Sequence, residues 1–295
     1  MKNLSLIDGF AVLYRAYYAF PEMKNEQGQN LNAVYGFLRM VLKRLSHKPD
    51  YLGIAWDSKE KTFRHELQPT YKATRKKMED DFISQIGIIR SIIDELWIFG
   101  IEYPGYEADD LLASFAKKFQ KNSDLEIYVY SGDKDLKQIL DERIAIVDLS
   151  KDVPYKTSDF LQEFWFEPKS IVDYLALLGD AADNVKWVDG IWTKTALWLI
   201  QKYKNLETLY ESLDALSDRQ QTLLREQKED AFFAKKMIQL SVLELNEYQL
   251  SDFSFSFDYQ KYSDILCKKY GLLSLDKVLL DLKKQYEQPV QLGLF

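Results

Sequence analysis

The chain has 295 residues, 46% hydrophobic and 29% charged, which is enough apolar sequence for one large core or two modest ones, with no run long enough to cross a bilayer. Its one cysteine, Cys267, excludes an intrachain disulfide and fits a reducing cytoplasm; with only His47 and His65 beside it, a zinc site is nearly excluded and oxygen-held magnesium or manganese leads. The net charge of −7 disfavours a nucleic-acid partner only if the acids are spread evenly rather than gathered in a metal site.

In chain order, strand-like and helix-like stretches alternate over the first two-thirds, the pattern of an α/β sheet with crossover helices. MKNLSLIDGF lacks the pattern of a signal peptide and runs directly into the first strand candidate, LSLID (4–8). The others are YLGIAWD (51–57), IEYPG (101–105), EIYVYSGD (126–133) and IAIVDL (144–149). Amphipathic helices are clearest at 31–46, 81–96 and 107–120, and from about residue 157 short helices prevail. Cys267 reads as a small core residue.

Three strand candidates end in an acid, Asp8, Asp57 and Asp133, and open α/β sheets bind ligands beyond the carboxyl ends of their strands. EADD puts Glu107, Asp109 and Asp110 at a helix start, with Glu107 and Asp110 on one face; GDKD sets Asp133 and Asp135 in a turn; GDAADN spaces Asp180 and Asp183 one helical turn apart. Any one acid at a helix start is more often a cap, and Asp159 and Asp173 are read as caps or surface. So many converging carboxylates repel one another unless cations neutralise them, which two divalent ions would do while clamping a phosphodiester.

Residues 58–77 carry Lys59, Lys61, Arg64, Lys72, Arg75, Lys76 and Lys77 against Glu60 and Glu66, interleaved with Phe63 and Tyr71. Following Asp57 directly, they would overhang the acids, a composition suited to a single strand held by phosphates and stacked bases.

LIDG, LYRAYYAF, KTFRHEL, YKATRKKM, EADD, SGDKD and DYLALLGDAADN, in this order and spacing, resemble the 5′-nuclease domain of bacterial DNA polymerase I, of the flap endonuclease family, over roughly residues 1–280. The resemblance implies a PIN-like α/β core with a central, mostly parallel sheet flanked by helices (1–165, arch 58–80). It further implies a helical region of helix–hairpin–helix type (166–284, hairpin 184–196). It places metal ligands at Asp8, Asp57, Glu107, Asp109, Asp110, Asp133, Asp135, Asp180 and Asp183. Lys72 and Arg75 fall on arch residues that handle the scissile phosphate, with Arg15, Tyr17, Arg64 and Tyr71 nearby. At the hairpin, Gly190, Lys194 and Thr195 would grip duplex DNA, often with a monovalent cation such as K⁺. The implied activity is two-metal (Mg²⁺ or Mn²⁺) 5′→3′ exonuclease and flap cleavage of DNA, RNA primers on DNA included, in primer removal and repair. A monomeric, free-standing, cytoplasmic nuclease is expected.

Tryptophans 97, 165, 187 and 192 stand where this family has glycine, and the chain holds only twelve glycines. One cause would explain all four: a gene that reads UGA as glycine, rendered here as tryptophan. Trp198 is a weaker case and Trp56 an ordinary strand aromatic. The alternative is a diverged enzyme whose hairpin carries tryptophans and grips DNA poorly.

Residues 285–295 read as an exposed tail broken at Pro289. Its QLGLF end resembles the pentapeptide by which bacterial replication proteins dock on the sliding clamp, with Leu292, Leu294 and Phe295 as apolar anchors and Gln291 as a polar one. Two competing readings are a ribonuclease acting on structured RNA, disfavoured by the arch and hairpin, and a catalytically weak, clamp-associated junction-binding protein, disfavoured by the intact acids.

Overall fold

In the computed structural model, which describes residues 1–25, 28–75 and 77–288, six strands form one sheet in the order β3-β2-β1-β4-β5-β6. They are β1 (Lys2–Asp8), β2 (Tyr51–Trp56), β3 (Phe99–Glu102), β4 (Leu125–Tyr130), β5 (Ile144–Val147) and β6 (Pro154–Tyr155). All pair in parallel except β6, which runs antiparallel to β5 and was not foreseen.

Side-chain alternation along each strand builds two cores. Leu4 and Leu6 of β1 join Ile127 and Val129 of β4 on one face. Ile7, Leu52, Ile54 and Tyr130 face the other. The first face is covered by α5 (Ala108–Phe119) and then by the helical region: α6 (Thr157–Phe164), α7 (Ile171–Leu178), α8 (Thr193–Tyr203), α9 (Leu206–Glu211), α10 (Asp218–Glu226) and α11 (Lys228–Ile238). The second is covered by α1 (Gly9–Ala19), α2 (Asn32–Leu45), α4 (Asp80–Glu95), α12 (Tyr259–Ser263) and α13 (Asp276–Glu287). A five-residue helix, α3 (Phe63–Leu67), starts the arch.

Chain order along the sheet reverses at β1: β2 and β3 extend one way, β4 and β5 the other. The carboxyl ends of β1 and β4 stand side by side at the reversal, where Ser131 after β4 donates to Asp8, and the acids lie in the crevice beyond them.

Three expectations change. Strands at 101–105, 126–133 and 144–149 end sooner, so Ser131–Asp133 lies in the loop beyond β4. Helix α13 continues through Glu287, and the Tyr286 hydroxyl donates to Leu45 O, so 285–287 is packed helix. Asp180 and Asp183 share a tight turn rather than a helix, closed by a bridge from Asp180 to Val185. Gly179 opens that turn with φ +64°; a Cβ there would lie 2.6 Å from Val185 O. Cys267 is buried, as expected of a core residue.

Trp97 and Trp165 follow helices α4 and α6 with φ of +60° and +59° and are 81% and 74% exposed. Trp187 and Trp192 are also exposed, but neither has positive φ; that of Trp192 is −103°. Trp56 is buried, stacked on Phe37. Left-handed backbone therefore supports glycine at 97 and 165 and gives no such support at 187 and 192.

Candidate active site

The acids are placed by the ends of parallel strands and by the loops that follow them. Asp8 ends β1 and caps α1, accepting from Ala11 N at 2.9 Å and from Ser131 Oγ at 2.9 Å. Asp57, one residue past β2, accepts from Ala108 N at 2.8 Å, which ties it to the start of α5. Glu107 is the N-cap of α5 and Asp109 lies in its first turn. Asp133 accepts from Asp135 N at 2.8 Å in the loop after β4. Asp180 holds its turn by accepting from Ala182 N and Asp183 N.

Residues 68–75 fold down over these acids as a strap. Lys72 N donates to Asp183 O at 3.1 Å, Gln68 Nε2 to Asn184 O at 2.6 Å, and Asn184 Nδ2 to Thr70 O at 3.0 Å. The Tyr71 hydroxyl lies 3.1 Å from both Glu107 Oε2 and Asp183 Oδ2. Lys72 Nζ is 2.5 Å from Glu107 Oε1, and Arg75 Nη2 is 2.5 Å from Asp183 Oδ1. Lys72 adopts φ +56°, a strained backbone of the kind found at functional sites. The cavity under the strap is about 710 Å³, running from Asp57, Lys72 and Glu107 to Phe10, Tyr14 and Ile83.

Burial pushes the Asp8 carboxyl up to about 7, with Asp57 adding repulsion. Burial raises Asp109 well above the carboxylate range, reinforced by Asp133, Asp8 and Asp57. Asp135 is likewise raised by burial and by Asp133. At Asp180 burial acts upward too, but the hydrogen bond and charge of Lys134, 3.0 Å away, outweigh it and hold the carboxyl low. Lys72 is pulled down by burial and, more strongly, up by Glu107, Asp57 and Asp183, so it stays charged.

Eight of the nine expected acids thus gather in one crevice, contributed as two groups from different parts of the chain. Asp8, Asp57, Glu107 and Asp109 come from the ends of β1 and β2 and the start of α5, and Asp133, Asp135, Asp180 and Asp183 from the loop after β4 and the turn after α7; the two groups adjoin, for Asp133 is the strongest charge acting on Asp109. Asp110 is the correction. It is fully buried, and its oxygens are committed to Arg64, Glu107 N and Ser241 N, which leaves no lone pair for an ion. Arg64, expected to touch DNA, is buried in the same lock and unreachable by a phosphate. Arg15 is exposed on α1, where its charge acts on Asp148, and the Tyr17 hydroxyl donates to Glu79. Gly190, with φ +85°, and the exposed Lys194 lie at the hairpin and start of α8, with Thr195 half-buried beside them. Asp173 is no surface cap: it is buried against Lys235 and Leu206 N. Lys76, Gln291, Leu292, Leu294 and Phe295 lie outside the described residues. Lys134 and Ser131 were missed, although Lys134 stands between the two acids of GDKD, where a cation is a natural neighbour.

Two family models match in succession: the 5′-3′ exonuclease N-terminal resolvase-like domain over residues 3–165 and the 5′-3′ exonuclease C-terminal SAM fold over 166–260. The chain belongs to the 5′-3′ exonuclease family. It is 33% identical to a 5′-3′ exonuclease of Aquifex aeolicus, covering all of both chains. It is 35% identical to DNA polymerase I of Borreliella burgdorferi over 98% of this chain but only 33% of that one, and 35% identical to a 5′-3′ exonuclease of Mycoplasmopsis pulmonis over 81% of both. Among solved structures, a phage T5 5′-exonuclease with bound zinc superposes with a TM-score of 0.68 at 18% identity, covering 97% of this chain and all of that one. That likeness establishes a shared fold.

The crevice fits divalent cations in one specific respect. Asp109 Oδ1 and Asp135 Oδ1, one from each acid group, are buried and accept no hydrogen bond. A buried carboxylate oxygen without a donor is costly, and a hard cation is the partner its charge calls for. As the side chains lie, no three carboxylates or imidazoles among the described residues are close enough to grip one ion. Lys72, Arg75 and Lys134 stand among them as counter-charges.

Proposed function

We propose that this chain hydrolyses phosphodiester bonds in DNA at 5′ ends and 5′ flaps, using two divalent cations, with Mg²⁺ the expected ion and Mn²⁺ a substitute. The observation that carries the reading is the pair of donorless oxygens on Asp109, from the start of α5, and Asp135, from the loop after β4, in the crevice at the strand-order reversal. Asp8, Asp57, Glu107 and Asp109 would hold one ion, and Asp133, Asp135, Asp180 and Asp183 the other. Ions so held would supply an activated water and neutralise charge on the attacking and leaving oxygens.

The chain's own residues supply the rest. Lys72 and Arg75 are exchangeable cations: each leaves its carboxylate for a phosphate oxygen once the acids have other counter-charges, holding the scissile group in place. Tyr71 hydrogen-bonds both acid groups and so fixes Glu107 relative to Asp183. The hairpin around Gly190, with Lys194 and Thr195, is proposed to grip the duplex behind the cut, with K⁺ as a candidate ion, and QLGLF to dock on a sliding clamp.

A labelled duplex with a 5′ flap tests this directly. Release of the flap should need Mg²⁺ or Mn²⁺ and stop with EDTA, and Lys72→Ala should cut kcat by roughly 10²-fold, the usual scale for losing one charge-stabilising group. Cleavage that persists in EDTA, or hairpin RNA cut in preference to flap DNA, would overturn the reading.

A further inference from the structure

At the end of α11 the chain passes into an irregular segment, and five successive residues across that junction, 237–241, are held by side chains from the acid-bearing core. Met237 O accepts from Arg64 Nε at 2.8 Å and Gln239 O from Arg64 Nη2 at 3.3 Å. Ile238 O accepts from Gln138 Nε2 at 3.2 Å, and Leu240 N donates to Gln138 Oε1 at 3.0 Å. Ser241 N donates to Asp110 Oδ1 at 2.9 Å.

Arg64 uses every N–H it has. Besides the two carbonyls, Nη1 and Nη2 clasp Asp110 at 2.8 and 3.0 Å, and Nη1 also reaches Glu107 Oε2 at 3.3 Å. One buried guanidinium therefore joins the first leg of the arch (α3), the capping acid of α5 and the end of the helical region. Gln138 does the same on the other side, since its Nε2 also donates to Asp135 O at 2.8 Å. Each acid group is thus registered against the same five residues.

We propose that Arg64 is a positioning residue, aiming Glu107 into the crevice, and that Gln138 does the corresponding work for the Asp135 loop. Together they make residues 237–241 the joint through which the duplex-binding helices and the acid groups hold one geometry. Only a planar fork fills this place: a lysine would keep Asp110 paired but could not also reach Glu107 and two carbonyls. The inference rests on the two-ion reading above, since it concerns how the ligands of those ions are aimed.

The test uses Arg64→Lys, which leaves Asp110 with a cation and so avoids an unpaired buried charge, and Gln138→Ala. Three quantities are measured on the full chain: Mn²⁺ affinity without DNA, from the free-ion EPR signal; kcat and KM separately on a 5′-flap duplex; and the melting temperature. Each variant should bind Mn²⁺ about tenfold or more weakly and lose kcat to a similar degree, the usual scale for a residue that orients a metal ligand. KM should stay within about threefold. A raised KM with unchanged Mn²⁺ affinity would overturn the proposal in favour of direct DNA contact. Unchanged Mn²⁺ affinity and kcat with a lowered melting temperature would reduce both residues to packing. Wild-type protein that takes up no Mn²⁺ would sink the two-ion reading itself, an outcome distinct from variants that bind as wild type does.

Discussion

Trp97 and Trp165 hold their rings largely in solvent on left-handed backbone, at the point where a helix ends and glycine is the residue of least strain. Non-glycine residues in that region cost about 1 kcal/mol or more each, and an exposed indole returns little burial. Trp165→Gly should therefore stabilise the protein by about 1 kcal/mol, a rise of roughly 2 °C in Tm for a chain of this size. Trp97→Gly should gain less, because the Lys261 ammonium sits over the Trp97 ring, a contact worth about 0.5–1 kcal/mol. At 187 and 192 positive φ is absent, so glycine there should not raise Tm; its effect belongs to the hairpin and should appear as tighter duplex binding. Calorimetry of the four single variants separates the two groups. A Tm that rises equally at all four positions would contradict the backbone argument, and UGG codons at 187 and 192 would end the recoding explanation for the hairpin.

The strap is an element that cannot stand alone. The helix that leads into it, α3, has five residues, too few to hold itself, and the Asp180–Asn184 turn fixes the course of the strap beyond it. Gln68 and Asn184 make reciprocal side-chain-to-backbone bonds across that contact, while Lys72 N reaches Asp183 O. Replacing both Gln68 and Asn184 by alanine should loosen the strap without unfolding the core: amide exchange across 70–75 should speed up well beyond that of β1, and Tm should fall by only a few degrees. Exchange unchanged in the strap would mean that Lys72 and Arg75 hold it through their acids alone. Much of this architecture was legible beforehand. A short apolar run such as LSLID or YLGIAWD ending in aspartate reads as a buried strand whose acid lies at the sheet's carboxyl edge, so Asp8 and Asp57 are placed by the run alone. Asp110 was misjudged because a spacing of three residues gives a shared helical face but not what stands opposite; that partner, Arg64, is 46 residues earlier in sequence. The Asp180 turn was read as helix because its spacing suits either, and only the bridge to Val185 decides it.

At the scale of the whole molecule, the acids and Gln288, the last described residue, lie at opposite ends of the sheet. Lys48 Nζ donates to Gln288 O at 3.3 Å, beside Tyr51 and Lys2, where β2 and β1 begin, whereas Asp8 ends β1 six residues beyond Lys2, roughly 20 Å away. Deleting Leu294 and Phe295 should abolish clamp affinity while clamp-free flap cleavage stays as it was; equal clamp affinity would reject the docking role. The concentration of acids also sets how stability depends on pH. Asp8 has a folded-state pKa of about 7, above the unfolded value of about 3.9. The folded state thus binds this proton more tightly, and the associated stability is fully present below pH 4 and lost as pH rises towards 7. Asp109 and Asp135 are shifted in the same direction, by burial first and by neighbouring acids next. Asp8→Asn keeps an α1 cap, since asparagine caps as well as aspartate, and removes the charge. With divalent ions chelated, the variant should gain little at pH 4.5 and most at pH 8, by at most roughly 4 kcal/mol for a shift of about three units. Millimolar Mg²⁺ should then reverse the order at pH 8, because wild type gains a ligand for its carboxylates and the variant lacks one of them. Melting curves at both pH values, with and without Mg²⁺, decide it: an advantage for Asp8→Asn that is independent of pH would mean that Asp8 is not ionised against its neighbours at all.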